Sequence, residues 1–331
     1  KYYFDYKEER DWIQEFQYLF AQLSFYPSKS IDTLPFVSKW TGWDGELINP
    51  REQQDAVEFL QMILERLDER VKGLTSMFQG QIIHTLVGRK VQYSNTLVEN
   101  FLTLSLEVKN HQNIQESLKT FLVPDHFEGS NGYTVEGQGM IDADRYHQIK
   151  IAPKILIIQL KRFEYNLSSS TRVKVNSEYH FPLELDLSPV MEISTDEAKE
   201  GIESSQKKQE NKNLYELVGV VMHMGSAIAG HYFSHVKREN GEWITLNDQQ
   251  VRKCDGENLP ITAAGGIMNN NKNKEYSLYP LENFENDTNA YLLFYRKINT
   301  SLDEAEIESE SQSRFSKGYS ISDLSHYNSE T

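Results

Sequence analysis

The chain has 331 residues, of which 49 are Asp or Glu and 34 are Lys or Arg, so its formal net charge at pH 7 is −15. This charge disfavours nucleic acid and anionic membrane surfaces as partners and favours a basic one, and no apolar run is long enough to span a bilayer. The only cysteine, Cys254, cannot form an internal disulfide, which predicts a soluble protein of a reducing, intracellular location.

The first segment with a regular pattern is Arg10 to Leu23. Its apolar residues recur at helical spacing, so the segment predicts an α-helix. We expect the apolar stripe of this helix to face the core of the protein.

A second, longer helix is predicted to begin at Asn49. Asn49 is a favourable N-cap, a proline follows it at the first helical position, and Glu52 could complete a capping box. The apolar residues farther on form one stripe, which leaves Gln54, Asp55 and Glu58 together on another face. From its position alone, Asp55 is interpreted as a surface acid.

Beyond residue 80 the hydrophobic period changes from that of a helix to that of strands. In residues 101–108 every second residue is aliphatic, which predicts a strand. Residues 114–122 predict a short helix. The apolar run 153–163 predicts a strand covered on both faces at the centre of a sheet. Residues 215–224 predict a second buried strand.

Polar segments without periodicity separate and follow these strands. Residues 194–213 are rich in Glu, Lys, Ser and Gln, and we interpret them as a disordered insertion. A second polar excursion runs from residue 255 to residue 287. From residue 299 onward, a Ser- and Glu-rich tail is expected to be unstructured.

Two further strands are predicted on either side of an Asn-Gly turn at residue 240. Their pairing would bring His231, in the first strand, close to Asn247 and Asp248 at the end of the second. An imidazole that acts as a base works best when another group accepts its second N–H and fixes its orientation. From these residues alone, a strand histidine with ordinary hydrogen bonds is the simpler interpretation.

Three stretches, in order along the chain, are similar to sequence boxes of the ubiquitin-specific proteases, cysteine peptidases that cut after the C-terminal glycine of ubiquitin. They are Gln53-Gln54-Asp55-Ala56-Val57-Glu58-Phe59-Leu60, Lys161-Arg162-Phe163, and Ala229-Gly230-His231-Tyr232 followed by Trp243 and Asn247-Asp248. The resemblance extends over most of the chain, from the first helix to Arg296.

The resemblance implies catalytic roles for the residues of the histidine box. His231 would be the general base, Asn247 the residue that orients it, and Asp248 the adjacent acid that supports or shares this role. The partners implied are ubiquitin and ubiquitinated proteins.

The resemblance also implies a substrate-binding site. Asp55 and Glu58, with Gln54 as a weaker candidate, would receive the arginines of ubiquitin's tail, because carboxylates can pair with guanidinium groups through two hydrogen bonds. The other residues assigned to substrate binding are Phe163, His223 and Tyr232.

The fold implied is the α+β architecture of a papain-like cysteine peptidase, with thumb, fingers and palm. The helical thumb would extend to about residue 75, and the β-rich fingers and the antiparallel sheet of the palm would occupy about residues 76–298. The disordered insertion would lie at about residues 191–213 and the tail at residues 299–331. The active cleft would lie between the helices and the sheet.

No metal or cofactor is expected. In many relatives, segments near His84 and near residue 133 carry paired cysteines that bind a structural zinc ion, but Thr134 and Gly137 stand where one pair would be. The histidines of this region have no close metal-ligand spacing and are interpreted as surface or capping residues. They are His84, His111, His126 and His147.

The sequence has no counterpart of the family's cysteine box, Asn-x-x-Cys, which would precede the first helix. Cys254 is a poor substitute, because it follows the histidine box and leads into an irregular segment. We therefore expect this polypeptide, which begins at Lys1, to be a piece of a deubiquitinase without its nucleophile. Two alternatives stay open: a natural pseudo-enzyme that binds ubiquitin without cutting, and an unrelated β-rich scaffold with a coincidental histidine box.

Overall fold

The computed structural model of the protein describes residues 10–25, 30–192, 213–266 and 287–298. The predicted tail lies outside these ranges, as does the predicted insertion apart from its ends. No helix in these ranges is both long and apolar enough to cross a membrane. In chain order, the helices are α1 (Trp12–Phe25), α2 (Leu34–Val37), α3 (Ala56–Arg70), α4 (Ile114–Phe121) and α5 (Leu259–Thr262).

The strands of the described residues form two larger sheets and two hairpins. In chain order they are β1 (Gly80–Gly88), β2 (Ser94–Phe101), β3 (Leu104–Glu107), β4 (Asp125–Phe127), β5 (Tyr133–Val135), β6 (Gly139–Ile141), β7 (Ala143–Ile151), β8 (Ile155–Lys161), β9 (Phe163–Asn166), β10 (Thr171–Lys174), β11 (Glu184–Asp186), β12 (Leu214–Gly225), β13 (Gly230–Lys237), β14 (Trp243–Asn247), β15 (Gln250–Cys254) and β16 (Thr288–Lys297).

The large sheet has eight strands. Its order is β15-β14-β13-β12-β16-β8-β3, and β11 pairs with β12 outside this path. Neighbouring strands are antiparallel except β3 and β8, which are parallel. The predicted strands at residues 153–163 and 215–224 are confirmed as β8 and β12.

Strand β8 shows why both faces of this sheet are covered. Leu156, Ile158 and Leu160 are fully buried in a core that includes residues of α4, whereas Ile157 is buried in a second core that includes residues of α3. Successive side chains of a strand point to opposite faces, so one apolar run supplies both cores. Each fully buried aliphatic side chain stabilises the fold by roughly 1.5–3 kcal/mol.

The smaller sheet, with the order β2-β1-β7-β4, comprises strands between residues 80 and 151. The prediction of one continuous strand over residues 101–108 is wrong in part. Strand β2 ends at Phe101 in the smaller sheet, and β3 begins at Leu104 in the large sheet, because the chain crosses from one sheet to the other at residues 102–103. Within β3 the alternation of the sequence is matched by alternating burial: Leu104 and Leu106 are buried, and the residue after each is exposed.

Helix α3 begins six residues later than the sequence predicts. Asn49 does not cap it: its side-chain oxygen accepts a hydrogen bond from the Arg51 backbone, and its amide donates to Glu52, so these residues form a separate turn. The N-cap is Asp55: its backbone is extended, and its side chain accepts hydrogen bonds from two N–H groups of the first turn that have no partner within the helix.

Helix α1 forms as predicted, but its apolar stripe is only partly covered. Trp12 and Phe16 pack against the core of the helical region. Phe20 and Leu23, predicted to face the core, are 53% and 63% exposed.

Candidate active site and channel

The predicted hairpin of the histidine box is strands β13 and β14. Their register runs from Ser234 opposite Leu246 to Lys237 opposite Trp243, and the turn between them needs Gly241, whose φ is 83°. The hairpin places His231, at the start of β13, near the last residue of β14. The Nε2 atom of His231 is 2.7 Å from Oδ1 of Asn247.

This contact assigns the tautomer of His231. An amide oxygen can only accept a hydrogen bond, so Nε2 carries the proton and donates it to Asn247. In the neutral ring, Nδ1 is then unprotonated and can accept a proton from a reacting group. The contact with Asn247 therefore holds the imidazole in one orientation, in which Nδ1 is the nitrogen that can accept a proton.

Asp248 lies next to this pair but contacts it less closely. Its Oδ2 is 3.8 Å from Nε2 of His231, and its side chain is 76% exposed. Asp248 has a positive φ of 50° in the turn from β14 to β15, a conformation that Asp tolerates better than most residues. Asn247 is thus the direct partner, and Asp248 is placed to stabilise a positive charge on the imidazole.

A cavity of about 390 Å³ opens between the start of α3, the β9–β10 hairpin and the start of β13. Five of the six residues assigned to substrate binding line it. They are Gln54, Asp55, Phe163, His223 and Tyr232. Glu58, the sixth, is exposed on α3 and is not part of the cavity wall. We call this cavity the channel.

Aromatic rings pack edge to face along the channel. The ring of Phe163 lies 5.0 Å from that of His223 and 5.1 Å from that of Tyr291, and the His223 ring lies 4.8 Å from that of Tyr232. Edge-to-face pairs are a favoured arrangement of aromatic rings, so these four side chains form one packed cluster beside the channel.

Asp55 is not the surface acid that the sequence predicts. Its Oδ1 accepts hydrogen bonds from the backbone of Val57 and Glu58, and its Oδ2 accepts one of 2.7 Å from the hydroxyl of Tyr291. Burial is the main cause that raises the pKa of Tyr291 well above its usual range and the pKa of Tyr232 to about 12. The negative charge of Asp55 raises both pKa values further. Both phenols therefore remain protonated beside this carboxylate at neutral pH.

His223 is 2% exposed, and its Nδ1 has no hydrogen-bond partner among the described residues. Burial is the main cause that lowers its pKa to about 4, and the nearby ammonium of Lys174 acts in the same direction. A side chain at Gly230 would collide with the His223 ring, since an added Cβ would lie 2.3 Å from Nε2. His223 is thus a neutral ring packed tightly under the start of β13.

Three residues of the site were not singled out from the sequence. Gln53 accepts a 2.8 Å hydrogen bond from the backbone of Gly230 and so connects the segment before α3 to the histidine hairpin. Tyr291 and Lys174 also contribute to the site, from β16 and β10. Gln53 belongs to the same sequence box as Gln54, but no local pattern identifies Tyr291 or Lys174, because their contacts are long-range.

Cys254 does not lie beside the imidazole. In the register of β14 and β15, Cys254 is opposite Trp243, whereas Gln250 is opposite Asn247. Four residues of strand, about 13 Å, separate these positions. Cys254 packs partly against the core instead.

The predicted interpretation of His84 and His147 as surface or capping residues is wrong. They face each other from β1 and β7, with their Nδ1 atoms 2.7 Å apart, and both side chains are less than a fifth exposed. The Nε2 atom of each ring contacts a carboxylate, Glu99 for His84 and Asp125 for His147. Within the described ranges, no group of three or more His, Cys, Asp or Glu side chains is arranged to hold a metal ion.

Comparison with known proteins identifies one family across nearly the whole chain. The family model described as ubiquitin carboxyl-terminal hydrolase matches residues 3–295. Ubiquitin carboxyl-terminal hydrolase 9Y of Homo sapiens is 30% identical over 306 residues, which are 84% of this chain and 12% of the relative. Ubiquitin C-terminal hydrolase 12 of Arabidopsis thaliana is 30% identical, over 91% of this chain and 27% of the relative. The chain thus spans a small part of the length of these relatives.

A solved structure shares the fold. It is the SAGA DUB module of Ubp8, Sgf11, Sus1 and Sgf73 bound to monoubiquitin, with a TM-score of 0.56 and 24% identity. The match covers 76% of this chain and 50% of that one. The mixed α and β architecture predicted from the sequence is confirmed.

Proposed function

The chain belongs to the ubiquitin carboxyl-terminal hydrolase family, and on that premise we propose that it is the base-bearing and substrate-binding part of a thiol-dependent deubiquitinase. The reaction is hydrolysis of the bond that follows the C-terminal glycine of ubiquitin. The observation that carries the proposal is the 2.7 Å contact between His231 and Asn247, close to a channel lined by Asp55 and Gln54.

His231 acts first as a base. Its free Nδ1 takes the proton of a cysteine thiol, and the thiolate attacks the carbonyl carbon of the terminal glycine of ubiquitin. The imidazolium that results keeps its Nε2–H bond to Asn247, and the Asp248 carboxylate at 3.8 Å stabilises its charge. His231 then donates the proton to the leaving amine and afterwards activates the water that releases ubiquitin.

The channel receives the tail of ubiquitin. The net charge of −15 favours a basic partner, and Asp55 supplies a carboxylate on the channel wall for an arginine of the tail. A carboxylate has about four acceptor sites, and three of those of Asp55 are used within the protein. We therefore assign Asp55 a single hydrogen bond to the arginine rather than the bidentate pair expected from the sequence.

The thiol comes from a cysteine box ahead of α1, outside the 331 residues. Cys254, the only cysteine present, lies about 13 Å along the sheet from the Asn247 end of β14, too far to pass a proton to His231. The same observation favours a second candidate, a ubiquitin-binding pseudo-protease that lacks the thiol altogether. The reducing, intracellular location that keeps a catalytic thiol free is part of the first proposal.

The test compares the 331-residue chain with a longer form that carries an Asn-x-x-Cys box ahead of α1. We expect the longer form to hydrolyse a reporter attached to the ubiquitin C-terminus and the 331-residue chain to bind ubiquitin without turnover. Changing the new cysteine to serine should abolish turnover, whereas Cys254→Ser should preserve it. Turnover by the 331-residue chain that disappears in Cys254→Ser would reject this assignment, and an inactive longer form that still binds ubiquitin would favour the pseudo-protease.

A further inference from the structure

Lys174, the last residue of β10, points its ammonium group into the protein. The Nζ atom donates hydrogen bonds to three backbone carbonyl oxygens, those of His223 at 2.9 Å, Gly225 at 3.2 Å and Asp287 at 2.5 Å. An ammonium has three N–H groups, so these acceptors occupy its full donor capacity. A lysine used in this way holds backbone segments together.

The segments that Lys174 holds flank residues 225–230, which we call the 225–230 loop. Gly225 and Gly230 face each other in the β12–β13 register, and the next pair is Met224 and His231. Gly225 has a φ of 107°, which side chains rarely allow, and its N–H donates to the Asp287 carbonyl that Lys174 also binds. The first half of the loop is thus fixed by Lys174.

The other end of the loop is held by the segment that precedes α3. The backbone N–H of Gly230 donates to the side-chain oxygen of Gln53, and within the loop the Ser226 hydroxyl accepts hydrogen bonds from Ile228 and Ala229. Ser226, Ala227 and Ile228 line the channel. The loop that Lys174 anchors is therefore one wall of the channel and leads directly to His231.

We propose that Lys174 is a positioning residue: by binding the carbonyl groups of His223 and Gly225 it fixes the channel wall against which the ubiquitin tail lies and sets the start of β13. This inference rests on the proposed function, because the channel is assigned to the ubiquitin tail there. The residue touches neither the tail nor the reacting atoms.

The charges around Lys174 make its contribution sensitive to pH. Burial is the main cause that lowers its pKa to about 8, the charge of Arg162 lowers it further, and Asp287 opposes both. The other titrating neighbours with shifted pKa values are Arg162, at about 10, and His223, at about 4, so between pH 7 and 9 Arg162 stays positively charged and His223 stays neutral. Above pH 8 Lys174 loses a proton, and with it one of the three donors that hold the loop.

The first arm of the test does not involve ubiquitin. Hydrogen exchange is followed at the amides of Ser226 and Gly230 in the parent, in Lys174→Met and in Lys154→Met. Lys154 is exposed and lies beside Lys297, at the opposite end of β16 from Asp287, about 30 Å away. We expect faster exchange in Lys174→Met only, and in the parent a loss of protection above pH 8 after correction for the intrinsic rate. Unchanged exchange in a folded Lys174→Met would overturn the proposal.

The second arm measures the affinity of the same proteins for intact ubiquitin and for ubiquitin without its C-terminal tail. Lys174→Met should weaken binding of intact ubiquitin roughly tenfold, since hydrogen bonds from charged donors are among the stronger ones, and should leave the tail-less probe unaffected. The parent's preference for the intact probe should shrink above pH 8. In Lys174→Arg the preference for intact ubiquitin should persist above pH 8, because a guanidinium stays protonated.

The outcomes distinguish a failure of the proposed role of Lys174 from a failure of the proposed function. Equal weakening for both probes would mean that Lys174 only stabilises the fold, which overturns the proposal. If Lys174→Met does not fold, the parent alone tests the proposal: its amide protection and its preference for intact ubiquitin should both decrease above pH 8, and a parent without these changes would overturn the proposal. A parent that does not bind intact ubiquitin would reject the proposed function, and the exchange experiment would then decide whether Lys174 anchors the loop.

Discussion

The hydroxyl of Tyr291 donates a 2.7 Å hydrogen bond to Oδ2 of Asp55, a residue 236 positions away in the sequence. Oδ1 of the same carboxylate caps α3. One side chain thus begins the helix on one side of the channel and ties it to the large sheet on the other. The first prediction concerns the stability that this double role provides.

Asp55→Ala should lower the free energy of unfolding by about 2–3 kcal/mol, because it removes both an N-cap and a partly buried hydrogen bond. Tyr291→Phe removes the hydrogen bond alone and should cost about 1 kcal/mol. Urea denaturation measures both. Glu58→Gln, on the exposed side of the same turn, is the control and should change stability by less than about 0.5 kcal/mol. An Asp55→Ala protein as stable as the parent would contradict the capping role.

The second prediction ranks the residues around His231 in the longer, thiol-bearing form. His231→Ala should lower kcat/KM by about 10²-fold or more, since it removes the proton acceptor. Asn247→Ala should cost more than Asp248→Ala, because Asn247 contacts Nε2 at 2.7 Å and Asp248 lies at 3.8 Å. Hydrolysis of a ubiquitin C-terminal reporter gives all three values. The order would be refuted if Asp248→Ala were the weaker enzyme of the two.

The third prediction is a pH dependence of stability that arises from His223. Its pKa falls from 6.5 to about 4 on folding, so between these values the unfolded chain binds a proton that the native protein does not. The free energy of unfolding therefore falls as the pH is lowered from 6.5 to 4, by roughly 3 kcal/mol from this residue. This contribution is fully present above pH 6.5.

The contribution of His223 is measured as a difference between the parent and His223→Gln, unfolded with urea at several pH values. The parent should lose more stability than the variant on acidification. His111→Gln is the matched control, because His111 lies in a partly exposed loop. Parallel stability curves for the parent and His223→Gln would show that the buried ring does not titrate as proposed.

The fourth prediction concerns Arg162, which is fully buried and donates to the carbonyl oxygens of Ala290, Val175, Ser177 and Ala264. Arg162→Lys keeps the charge but replaces the planar guanidinium by a compact ammonium group, which cannot reach four separated acceptors. We expect it to lower the free energy of unfolding by roughly 3 kcal/mol or more. Arg252→Lys, on the exposed strand β15, should be neutral in the same assay.

The sequence predicts the histidine hairpin well because its signals are local. Alternating apolar residues and an Asn-Gly turn determine β13 and β14, and the turn sets the register that brings His231 to Asn247. The central strand β8 is predictable for the same reason, since its apolar run is continuous. The expected catalytic roles of His231 and Asn247 come instead from the resemblance to the sequence boxes of the ubiquitin-specific proteases, because periodicity and turn residues carry no information about chemistry.

The start of α3 could not be predicted because two segments compete for it. Asn49 and Glu52 form a plausible capping box, but Asp55 and Glu58 repeat the pattern six residues later. Tyr291 favours the second cap by binding the other oxygen of Asp55, and no local pattern reveals a partner 236 residues away. The roles of Lys174 and Gln53 were hidden for the same reason, because both bind backbone groups that are distant in sequence.

The position of β16 has a consequence for how the protein is made. This strand, Thr288–Lys297, lies between β12 and β8 and carries Tyr291, yet ribosomes add residues in order from the N-terminus. Until residue 297 has left the ribosome, β8 and β12 lack the partner that joins them, and apolar residues such as Leu156 and Ile158 have no complete core. Nascent chains are therefore exposed to aggregation until β16 emerges, and chaperones that shield strands during translation should associate with this polypeptide up to that point.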